Sequence, residues 1–173
     1  MIWLVLWLHV VALAVWLGSV VAFSFVLAPA LFGALPVEQA GTAVAHVFPG
    51  YYALGYGAGA AVAVTAALLR RWTRPGGGAW LASAGLAGVT LAVWLYAGLV
   101  VQPRASALRA QLRAPDASLA LRGEFDVLHA RAVGLNGGVL VAQLVLAGLL
   151  AAQLRGAAMG PRRAPRLGSD LQW

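Results

Sequence analysis

The stretch that decides the fold is MIWLVLWLHVVALAVWLGSVVAFSFVLAPALF, Met1 to Phe32. No charged side chain occurs before Glu38. A spanning helix needs about 20 mainly apolar residues, so this run belongs in an apolar medium. Yet it contains His9, and Trp16 follows seven residues later on the same helical face. An ionisable group inside a membrane segment is uncommon, which makes His9 the first candidate for a functional role. The run has no basic n-region and is about twice the roughly 7–15 residues of a leader's apolar core. It reads as a span, not as a removable leader.

The rest of the chain agrees with an integral membrane protein. Of 173 residues 62% are hydrophobic and 10% charged, with a mean hydropathy of +0.84. A soluble domain carries roughly 25% charged residues, so this chain cannot dress a water-facing surface. It has no cysteine, which removes disulfides and thiolate metal sites, and its methionines are limited to Met1 and Met159. The net charge of +7 comes from arginine alone. In such a chain arginine is a topology and headgroup signal, and no nucleic-acid partner is read from it. The lipid bilayer is the first partner.

Four charge-free segments are long enough to span: 2–27, 51–69, 79–101 and 132–154. They predict an all-α, four-helix transmembrane domain over 1–154. The first connection, 28–50, contains Pro29, Pro36 and Pro49-Gly50. A short surface helix over 37–48 is expected there, with Val37, Val44, Val47 and Phe48 as its apolar side. The second, 70–78, reads as a tight turn with Arg70, Arg71, Arg74 and Pro75. In the third, Leu108 and Leu112 keep the helical period until Pro115, and Asp116 is the expected cap of the next helix. Helices three and four therefore extend beyond the lipid as a polar hairpin. The Arg- and Pro-rich tail, 155–173, reads as disordered.

Arginine counts, seven on the side of the termini against five opposite, favour an N-in, C-in orientation. Trp3, Trp7, Trp72 and Trp80 are expected at one interface, and Tyr51, Tyr52 and Tyr96 at the other.

His129, Asn136 and Gln143 recur every seven residues and so share one face of helix four. Polar groups at membrane depth face protein or water, and they can tie helices together or line a path. With His9 they form a candidate polar seam for a small solute, proton or metal. His46 and His129 both fall near the outer surface and are the pair that could share one ligand, a metal or a b-type haem with two axial imidazoles. Pro49-Gly50-Tyr51-Tyr52 reads as a turn followed by an interfacial anchor. Gly55-xxx-Gly59 and Gly134-xxx-Gly138 are helix-approach motifs. No HExxH, P-loop, dinucleotide fingerprint or catalytic triad is present, so no catalytic residue and no enzyme is expected.

Several stretches together carry a family likeness. They are Leu8-His9 with Trp16-Leu17-Gly18, Ala28-Pro29-Ala30-Leu31-Phe32, Phe48-Pro49 with Tyr51-Tyr52 and Gly55, and Phe125 with Leu128-His129 and Asn136. The chain resembles the transmembrane protein 205-like family of bacterial domains of unknown function. That resemblance implies four membrane helices, a bacterial cytoplasmic membrane and a loose link to metal or toxic-compound handling. The first helix is also similar to those of copper-resistance and haem-associated small membrane proteins. Three readings follow: transport of a small solute, proton or metal through the seam; a haem-binding redox protein using His46 and His129; and a structural or assembly subunit. A bundle this small leaves little room for an enclosed path, so a homo-oligomer is open.

Overall fold

The computed structural model describes residues 1–72, 78–114 and 118–158. The turn residues Arg74 and Pro75, the expected stop Pro115 and cap Asp116, and the tail from Met159 lie outside the described residues. Within them the chain forms four helices, α1 (Ile2–Ala34), α2 (Val37–Trp72), α3 (Gly78–Gln111) and α4 (Leu119–Ala158). All four are long and apolar enough to cross a membrane. The fold is an all-α four-helix bundle, and the protein is a multi-pass membrane protein.

Each helix is longer than the apolar segment that announces it; α1, α2 and α3 each run through an internal proline, and α4 begins at Leu119, well ahead of its apolar segment. α1 runs through Pro29 and stops only at the extended Leu35 before Pro36. α2 runs through Pro49 and Gly50, so the expected turn and separate surface helix are one continuous helix from Val37. Val44, Val47 and Phe48 pack inward as expected, but Val37 is exposed. Neighbouring helices and local adjustment make such prolines tolerable in membrane helices. The start of α4 is capped by Ser118, whose hydroxyl accepts from the Leu121 N–H at 3.2 Å.

That local adjustment is visible twice. Residues Ala22–Leu27 of α1 and Ala97–Val101 of α3 are π-helical. The Ala28 N–H bonds Phe23 O and the Gln102 N–H bonds Ala97 O, each five residues back. Pro29 and Pro103 follow directly. A proline inside a helix offers no N–H and its ring crowds the carbonyl four residues earlier, here Phe25 and Leu99. Widening the preceding turn relieves that crowding.

Between helices in lipid, packing rather than water exclusion supplies the attraction. The core centres on Trp16 and Trp94, whose rings meet edge to face at 6.3 Å, with Leu13, Val20, Val62, Ala87, Val139 and Leu146 around them. Gly55 and Gly59 of α2 make room for these indoles. A Cβ at Gly55 would strike the Trp94 ring, and one at Gly59 would lie 2.9 Å from Trp16 Cη2. The first GxxxG motif thus admits side chains. The second does not act at all within the bundle: a Cβ at Gly134 or Gly138 would meet nothing within 4 Å. Trp80 turns into the bundle, buried against His9.

Candidate functional site

At the end of the bundle where α3 and α4 extend, the four helices enclose a cavity of about 320 Å³. The first π-helical segment supplies Phe23 and Ser24 to its wall, and the α3 contribution begins at Gln102, directly after the second. From α1 come Phe23, Ser24 and Phe32; from α2 come Ala45, Phe48, Tyr51 and Tyr52. Ala45 is the residue whose carbonyl loses its partner to Pro49. Gln102, Ser106 and Arg109 of α3 face in, as do Phe125, His129, Val133 and Asn136 of α4. The volume lies within the range of small-molecule sites, which combine apolar walls with a few convergent polar groups.

The floor is aromatic and polar together. Phe23 stacks on Tyr51 at 4.5 Å, Phe48 lies 5.3 Å from Phe23, and Trp94 lies 4.9 Å from Tyr51. Tyr51 is buried and donates its hydroxyl proton to Asn136 Oδ1 at 2.6 Å. Asn136 Nδ2 in turn donates to Ser24 Oγ at 2.9 Å. One asparagine therefore ties α1, α2 and α4 at this depth. Tyr51 is thus a packing and bonding residue. Gly98 leaves space for the Tyr52 and Tyr56 rings, which a Cβ there would strike.

The rim carries the charge. Arg109 donates to the Gly41 carbonyl, and its guanidinium sits 5.4 Å over the Phe125 ring. Gly41 has no side chain to block this approach: a Cβ would be 3.1 Å from Arg109 Cζ. Phe125 stacks on His129 at 5.9 Å, so the imidazole also belongs to the cavity wall. Arg113 reaches Thr42 Oγ1 at 2.8 Å just outside.

The other seam residues lie elsewhere. His9 is buried, and its Nδ1 is 2.8 Å from Thr65 Oγ1. The Thr65 hydroxyl donates to its own helix at Ala61 O, so His9 Nδ1 is the donor. His9 also meets Trp80 edge-on at 5.4 Å. The Ser24–Asn136 bond sets the antiparallel register of α1 against α4, and from it His9 and Gln143 lie about 12 Å apart along the bundle. Gln143 is fully buried, with neither amide atom hydrogen-bonded. The layers between carry Leu13 and Leu146, then Val20 and Val139. His129, Asn136 and Gln143 share the expected face, but apolar layers separate the polar groups, and they do not form a connected chain.

His46 and His129 are not brought to one site. His46 is exposed and its Nδ1 bonds the Thr42 carbonyl of its own helix at 2.8 Å, whereas His129 lines the cavity. Among the described residues no group of three His, Cys, Asp or Glu side chains could hold a metal ion.

Arg109, Gln102 and Ser106 were not among the residues singled out from the sequence. Their spacing, i, i+4 and i+7 from Gln102, is a helical face and was the available signal. No curated protein and no solved structure matches the chain. A family model described as Domain of unknown function (DUF4149) matches residues 11–114, from α1 to the end of the α3 extension. The chain belongs to this uncharacterised DUF4149 family.

Proposed function

We propose that this is a non-enzymatic membrane protein of the bacterial cytoplasmic membrane, with both termini inside, that binds a small amphipathic molecule in the cavity between α1 and α4. The observation that carries this reading is the pairing of an aromatic floor with polar groups at one rim. Such a surface matches a molecule with an apolar body and a polar head. The motifs behind the likeness to transmembrane protein 205-like domains support it. Phe32, Phe48, Tyr51, Tyr52, Phe125, His129 and Asn136 all line the cavity, so that kinship is part of the proposal.

Transport along the seam is the second reading, and the face shared by Asn136 and Gln143 favours it. It requires the apolar layers at Val139 and Leu146 to open. The test of the main reading is photocrosslinking of the full chain in nanodiscs with a diazirine-bearing alkyl amphiphile, followed by peptide mapping. Adducts on Phe48, Tyr52 and Phe125 that disappear in Ala105→Trp are expected, since Ala105 also lines the cavity. Adducts confined to lipid-facing residues such as Val141 and Leu144 would overturn it.

A further inference from the structure

The ligand's head can be assigned a charge. Arg109 is half-buried and lines the cavity, and its partners are the neutral Gly41 carbonyl and the Phe125 ring. A guanidinium offers five N–H donors in a planar fork. Among the described residues no carboxylate pairs with it, and none of the residues lining the cavity is acidic. A charge taken from water is costly unless it is paired. The cavity also takes the Ser106 and Gln102 side chains, about one and two turns before Arg109, and His129 from α4.

The mouth shows where such a ligand comes from. Phe32 and Val133, on the facing edges of α1 and α4, are 44% and 59% exposed. Both are apolar and lie on helices long and apolar enough to cross a membrane, which suits entry of a lipid chain between them. An occupant arriving this way has its tail in the bilayer and its head at the Arg109 level.

We propose that the cavity is a site for an anionic phospholipid of the surrounding bilayer, its phosphate held by Arg109 with Gln102, Ser106 and His129 as further donors and an acyl chain between α1 and α4. This rests on the reading of the cavity as an amphiphile site. A guanidinium fork matches phosphate oxygens bidentately, and the Phe125 ring already holds the guanidinium in place from the other side. A zwitterionic lipid brings a phosphate but also an ammonium for which the lining holds no anion.

The test is native mass spectrometry of the full chain exchanged into mixed micelles with equal amounts of phosphatidylglycerol, phosphatidylcholine and palmitate. Phosphatidylglycerol is expected to be retained about tenfold over phosphatidylcholine, because only the latter sets an ammonium beside Arg109 with no anion to pair it. Arg109→Gln is expected to erase that preference, Arg109→Lys to keep part of it, and Arg104→Gln, outside this cavity, to leave it unchanged. Equal retention of the two phospholipids by the unmodified chain overturns the charge assignment and leaves the amphiphile reading standing. Retention of palmitate alone overturns the phospholipid source. Retention of none of the three overturns both readings, and these arms need no variant to fold.

Discussion

The hydroxyl of Tyr51 donates to Oδ1 of Asn136 over 2.6 Å, joining α2 to α4 across 85 residues of sequence. Asn136 carries the connection on to Ser24 of α1 through its amide nitrogen. Three helices thus meet at one side chain, on the floor of the cavity. The aromatic cluster around Tyr51 holds the phenol in place, and the bond holds the cluster at a fixed depth.

Tyr51→Phe removes only the donor and leaves Asn136 Oδ1 without its partner. An unsatisfied buried acceptor costs about 1–3 kcal/mol, and thermal melting in detergent should fall accordingly. Asn136→Leu should cost a similar amount, and the double variant less than the sum, because the two residues share one bond. Strict additivity in that cycle would show that the bond contributes nothing to the fold.

The two GxxxG motifs should respond oppositely to the same substitution. Gly55→Ala drives a methyl group into the Trp94 indole, and overpacking of this kind costs about 1–3 kcal/mol. Gly138→Ala meets open space and improves helix propensity by up to about 1 kcal/mol. Equilibrium unfolding of both variants in the same detergent separates them. A loss at Gly138 as large as that at Gly55 would place α4 in a second interface that the single chain does not contain.

Much of this architecture is legible in the sequence, and the limits have physical causes. Hydropathy finds the four helices because a charge-free run of 20 residues has few other destinations. It misplaces their ends, because Pro29 and Pro49 are helix breakers in water and only local irregularities in a packed membrane bundle. The seven-residue spacing of His129, Asn136 and Gln143 correctly marks one face of α4. It does not reveal that Asn136 finds Ser24 and Tyr51 while Gln143 finds nothing, since that depends on which layer of the neighbouring helices lies opposite. Arg109 read as part of a solvated extension, although its period with Gln102 and Ser106 points inward. Identical GxxxG spacings at Gly55 and Gly134 have different surroundings, and spacing alone carries no information about surroundings.

His9 offers a clean separation between packing and chemistry. Thr65→Val leaves the His9 Nδ1–H unpartnered in the core and should cost about 1–3 kcal/mol. Adding His9→Leu removes the orphan donor, and replacing both partners by apolar groups is close to neutral. Recovery of the melting temperature in the double variant, with phospholipid retention unchanged, marks His9 as a packing residue. Recovered stability with lost retention would instead couple the His9–Thr65 pair to the cavity at the other end of the bundle.

Gln143 supplies the sharpest contrast between a polar group and its surroundings. It is fully buried, both its amide atoms lack partners, and so does the indole nitrogen of Trp16. The Ser24–Asn136 bond puts these two residues at one level: eight residues back along α1 lead to Trp16, and seven forward along α4 lead to Gln143. With about 1.5 Å of rise per residue, they differ in depth by about one residue. If the amide is unpaired, Gln143→Leu, close in volume, removes a desolvation cost and should raise stability by about 1–3 kcal/mol. Trp16→Phe, which leaves a cavity in the core, should lower stability, and the two effects should be additive. A stability loss in Gln143→Leu, together with non-additivity between the two substitutions, would overturn that expectation and mark a shared buried water bridging the indole N–H and the amide. The outcome also bears on the seam: a water held at this level would supply the polar step that Val139 and Leu146 otherwise interrupt, whereas a gain on removing the amide leaves the centre of the bundle dry.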